Sequence, residues 1–152
     1  QLAVAHCGRL SPREAAEIDA DVVTDFLPQR AVLAEADLCV SHAGLNTVLD
    51  ALEHGVPVLA LPIAYDQPGV AARIVHHGAG LRLPHRRLTA EGVASALRRL
   101  LEEPSFERNA QRIGGEIRGA GGASGAAAII ETALGLAVPQ RLKHPQREEV
   151  LA

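Results

Sequence analysis

Five short apolar runs, each followed by a helical pattern, constrain this chain more than any other feature. They are LAVAHC (2–7), DVVTDF (21–26), LCVS (38–41), VPVLALP (56–62) and GLRL (80–83). The first and third are apolar almost throughout and read as buried strands, the third as in a sheet covered on both faces. Helix signals fill the gaps. Ser11, Pro12 and Glu14 make a capping box with proline at the first helical position. Pro28 opens a short helix over 28–37. Leu45, Val48, Leu49 and Leu52 recur at helical spacing within 43–54, and Gly55 stands where a left-handed stop belongs. A fourth helix is expected from about Pro68 to Gly78 and a fifth after Thr89, with two more near 105–118 and 124–137. Strands that return after each helix can pair only in parallel. The expected fold is α/β, with an open, mostly parallel, Rossmann-like sheet and helices on both faces.

Composition narrows the class. The 152 residues suit one core, and with one Tyr, two Phe and no Trp that core must be aliphatic. A net charge of −3 gives no basic footprint for nucleic acid. The longest apolar run, 55–64, contains two prolines and is too short to span a bilayer. Cys7 and Cys39 lie in apolar surroundings and read as small buried thiols. The chain lacks methionine and opens at Gln1 inside an apolar run, which reads as a fragment of a longer protein. From Pro139 the sequence turns polar, so 139–152 is read as a tail.

In open parallel sheets, ligands bind at the carboxyl ends of the strands. The loop after the third run carries His42, Gly44, Asn46 and Thr47 at a helix start. Glycine allows close backbone approach, the helix start offers unpaired N–H groups, and the side chains add donors, which together suit a phosphate. Phe26, at the end of the second run, can stack on a flat base. Asp66 and Gln67, at the next helix start, can bond hydroxyl groups. Taken singly, each also has an ordinary reading as turn residue, core ring or helix cap. Taken together they describe a site for a nucleoside diphosphate sugar. No Walker lysine and no GxGxxG are present, which disfavours ATP hydrolysis and dinucleotide redox chemistry.

The stretch DFLPQRAVLAEADLCVSHAGLNTVLDALEHGVPVLALPIAYDQPGVAARI resembles the donor-binding signature of UDP-dependent glycosyltransferases with the GT-B fold. It is most similar to the bacterial macrolide-type branch, on the side of the carotenoid (zeaxanthin) glucosyltransferases. The resemblance implies a C-terminal, donor-binding half of a GT-B fold over 1–138, lacking that half's first βα unit. It implies that Phe26 stacks on uracil, that Leu27 meets the base through its backbone, and that Gln29 lies near the ribose. His42, Gly44, Asn46 and Thr47 would hold the diphosphate, Asp50 the ribose hydroxyls, and Asp66 and Gln67 the hexose, expected to be glucose. The partners implied are a UDP-sugar, a lipophilic hydroxylated acceptor and an acceptor domain of the same parent chain. That domain would supply the catalytic histidine of an inverting transfer, so no catalytic residue is expected here. The family needs no metal ion and no cofactor. The implied location is cytoplasmic, peripheral to the inner membrane where the acceptor resides. The main alternative is a stand-alone donor subunit of a bipartite glycosyltransferase, inactive without its partner.

Overall fold

The structure is a computed structural model that describes residues 1–136. All five runs form strands, each three residues long: β1 (Ala3–Ala5), β2 (Val22–Thr24), β3 (Cys39–Ser41), β4 (Val58–Ala60) and β5 (Gly80–Arg82). Every strand pair is parallel. β1 pairs with β2, Ala3 opposite Val22. β4 lies between β3 and β5, with Val58 opposite both Cys39 and Gly80. The helices follow in alternation: α1 (Pro12–Ala16), α2 (Gln29–Leu33), α3 (Leu45–Glu53), α4 (Gln67–His76), α5 (Ala90–Glu102) and α6 (Pro104–Gly119). Each of β1 to β4 is followed directly by a helix, so the loops of interest lie at one set of strand ends. A short 3₁₀ turn, His85–Arg87, precedes α5.

The core forms around β4, whose residues are all buried. Leu59 packs with Ala96 and Leu100 of α5 and with Phe106 of α6, and Leu38, Leu61 and Leu81 close around them. Fully burying a leucine side chain contributes about 1.5–3 kcal/mol, so this cluster is the main anchor of the parallel layer. The apolar stripe of α3 points inward as its spacing requires, burying Val48, Ala51 and Leu52. Gly55 ends α3 at φ +78°, a backbone region that side chains disfavour.

Two expectations of burial fail. β1 is exposed at Ala3 and Ala5, and Val40 in β3 is 49% exposed. Both strands are sheet edges among the described residues. β4 has a strand on both edges, whereas β1 and β3 each have one partner among the described residues. The Leu2 carbonyl accepts from Val22 and the His6 amide donates to Thr24, so the N–H and C=O groups of Ala3 and Ala5 face away from β2. Likewise the Cys39 amide and Ser41 carbonyl face β4, which turns the Val40 backbone to the open edge. Cys7 also departs from expectation: it is exposed, while Cys39 is partly buried.

A second compact unit begins at Ile117, in the last turns of α6. It contains α7 (Gly122–Ala133), preceded by Gly121 in the left-handed region. No helix among the described residues is long and apolar enough to cross a membrane. The polar stretch 139–152 lies outside the described residues.

Candidate functional site

The start of α3 is uncapped. Its N-cap residue is Gly44, in an extended conformation, and no side chain accepts from its first amides. The Ser41 hydroxyl just before it is engaged elsewhere, its Oγ accepting from the Ala43 amide at 3.2 Å. The backbone folds sharply here, with buried Ala43 at φ +66°. A Cβ on Gly44 would lie 2.6 Å from His42 Nε2. Glycine therefore lets the His42 ring fold over the helix start. His42, Gly44, Leu45, Asn46, Thr47 and Asp66 line one open cleft of ≈370 Å³. Free amides, the positive end of a helix dipole and an imidazole converge there, a combination suited to an anion.

A hydrogen-bonded chain ties this cleft to α2. Gln29 Nε2 donates to Asp50 Oδ2 at 2.7 Å, and Thr47 Oγ1 donates to Gln29 Oε1 at 3.0 Å. The amide orientation is forced, because a carboxylate can only accept. Arg30 Nη1 reaches Asp50 Oδ1 at 2.6 Å and Glu53 Oε2 at 2.8 Å. Thr47, Asp50 and Glu53 follow one another at three-residue spacing and so share the face of α3 that meets α2. The hydrogen bonds from Arg30 hold the Glu53 carboxyl below its usual range, and the two acids raise the guanidinium further above its own.

The β4–α4 loop supplies Asp66 and Gln67. Asp66 occupies the N-cap position of α4 without capping it, so its carboxylate is left to the cleft. Gln67 Oε1 accepts from the amides of Ile63 (2.8 Å) and Ala64 (2.9 Å), which leaves its NH₂ as the end that can meet a ligand. The same loop is held from the far side by His85, whose Nδ1 lies 3.0 Å from the Pro62 carbonyl. Pinned so, Tyr65 sits at φ +57° and is almost wholly exposed.

Residues 10–115 match the UDP-glucoronosyl and UDP-glucosyl transferase family. The chain belongs to this family. Among its relatives, a zeaxanthin glucosyltransferase of Pantoea ananas is 46% identical over 134 residues, covering 86% of this chain and 31% of the relative. Among solved glycosyltransferases, the calicheamicin enzyme CalG4 matches with a TM-score of 0.76 at 28% identity, covering 87% of this chain and 34% of that one. VinC, solved in complex with DTDP, matches at 0.65 and 30% identity, covering 79% and 35%. The chain thus spans about a third of the length of the relatives it matches. Its open parallel α/β architecture is that of GT-B glycosyltransferases.

Set against this family's signature, the structure gathers His42, Gly44, Asn46, Thr47 and Asp66 around the cleft. Gln29 and Asp50 join it through Thr47 rather than by lining it. Phe26 is 77% exposed, which removes the ordinary reading of a core ring. Neither it nor Leu27 borders the cleft. Sequence reasoning missed Arg30, His85 and the pair His6 Nε2–Asp25 Oδ1 (3.0 Å), which ties the ends of β1 and β2. The His6–Asp25 pair had a signal, since both residues close strands that the pattern already makes neighbours. Arg30 had none, because its partners lie about 20 residues away on another helix.

Proposed function

We propose that this chain is the donor-binding part of a UDP-sugar-dependent glycosyltransferase that moves a hexose, glucose, to a hydroxyl of a lipophilic acceptor such as zeaxanthin. The observation that carries the reading is the uncapped start of α3, facing a cleft shared with His42 and Asp66. In this reading the diphosphate meets the amides after Gly44, the His42 ring and the Asn46 and Thr47 side chains. Asp50 and Gln29 serve the ribose, Phe26 and Leu27 the base, and Asp66 and Gln67 the hexose. The reaction is an inverting displacement. The acceptor oxygen bonds to the anomeric carbon, the bond from that carbon to the diphosphate breaks, and the acceptor proton passes to a base on the acceptor domain. Charge grows on the departing UDP, where pre-aimed amides and imidazole stabilise it most. No metal ion is called for, since these donors meet the diphosphate charge.

Calorimetry with UDP and with uridine tests the reading. UDP binds the chain, EDTA leaves its affinity unchanged, and uridine binds far more weakly because it lacks the charge for the helix start. Equal affinity for the two, or none for UDP, contradicts it. In this reading the base belongs to an acceptor domain outside residues 1–152, so these residues by themselves release no UDP from UDP-glucose above background when given a hydroxylated carotenoid.

A further inference from the structure

We infer that Arg30 is a positioning residue for the nucleotide's ribose, holding the Asp50 carboxylate between α2 and α3 with about two of its acceptor positions still open. The inference rests on the donor-site reading above. A carboxylate has about four acceptor positions. In Asp50 one is taken by Arg30 Nη1 and one by Gln29 Nε2, while 24% of the side chain stays exposed. What remains suits a pair of vicinal hydroxyls.

Arg30 answers two physical problems at this point. Asp50 and Glu53 lie on one face of α3, and like charges there repel. Both also stand on a helix whose other end is proposed to take a dianionic diphosphate. One guanidinium nitrogen bonded to both acids offsets their charge and fixes the Asp50 carboxylate in one orientation. The chain of bonds continues through Gln29 to Thr47 at the cleft, so the orientation set by Arg30 is passed to a residue that borders the anion.

The test compares wild type, Arg30→Gln, Arg30→Lys, Asp50→Asn and the double variant Arg30→Gln/Asp50→Asn. Each is titrated with UDP and with 2′,3′-dideoxy-UDP by calorimetry, and each is melted to verify folding. Arg30→Gln weakens UDP about tenfold, the loss of roughly one charge-assisted bond, and the dideoxy analogue by less than about threefold. Arg30→Lys, which keeps a cationic donor, recovers part of the UDP affinity. In the Asp50→Asn background Arg30→Gln adds little, because Arg30 acts through Asp50. Unchanged UDP affinity in Arg30→Gln, equal losses for both ligands, or full additivity with Asp50→Asn overturns the inference while leaving the donor site standing. Wild-type chain that binds no UDP overturns the donor reading and this inference with it.

Discussion

Two helix starts in this molecule are built in opposite ways. At α5, Thr89 Oγ1 accepts from the Gly92 amide at 3.0 Å, so the helix begins with a side-chain cap. At α3, Gly44 has no side chain to offer and the first amides stay open toward a cleft. α1 is built like α5, with Ser11 and Glu14 satisfying each other's amides reciprocally. α2 and α4 are built like α3, without side-chain caps. A capped start contributes about 1 kcal/mol to stability. The chain forgoes that contribution at the three helices that follow β2, β3 and β4, where the proposed ligand sits. α7 also starts without a side-chain cap, so an open start alone does not mark a site; the cleft lined by His42 and Asp66 is what distinguishes α3.

Substitutions can separate the two kinds of start. The largest effect belongs to Gly44→Val. Its Cβ collides with His42 Nε2 and its methyls cover the open amides, so UDP affinity falls by about 3 kcal/mol, as for loss of two or more bonds to a charged group. Calorimetry measures that loss, and a melting curve close to wild type shows that the fold is intact. Asp50→Asn comes next, with UDP weakened by roughly 1–3 kcal/mol and 2′,3′-dideoxy-UDP much less, since the hydroxyls it would bond are gone. Thr89→Ala reverses the pattern. It lowers unfolding free energy by about 1 kcal/mol in urea and leaves UDP affinity unchanged. The smallest effect concerns the two thiols, Cys7 and Cys39. Burial pushes the Cys39 thiol up to about 11, so at pH 8 it holds almost no thiolate. Exposed Cys7 is therefore alkylated by iodoacetamide well before Cys39, which mass spectrometry of a time course follows.

Much of the fold was legible because its signals are local. The capping box at Ser11, the stop at Gly55 and the Thr89 cap were read within a few residues each, and all three stand as expected. Strand positions followed from apolar runs, and parallel pairing from the helices between them. Burial was less legible. Val40 sits in as apolar a run as Leu59, yet one is half exposed and the other wholly buried. One strand lies at a sheet edge and the other in the middle, a long-range property. The site divides in the same way. His42 and Asn46 could be placed at a strand–helix seam from sequence, whereas the contact of Gln29 and Arg30 with Asp50 depends on how α2 docks against α3. Gly44 carries a further meaning invisible in sequence, because the space beside it holds the His42 ring.

The central claim is that the open start of α3 receives the diphosphate. The most direct measurement is a UDP titration of isotope-labelled chain followed by amide chemical shifts. The amides of Leu45, Asn46 and Thr47 are expected to shift strongly and together, while Gly92 at the capped start of α5 stays still. Saturable UDP binding that leaves residues 45–47 unmoved would contradict the claim.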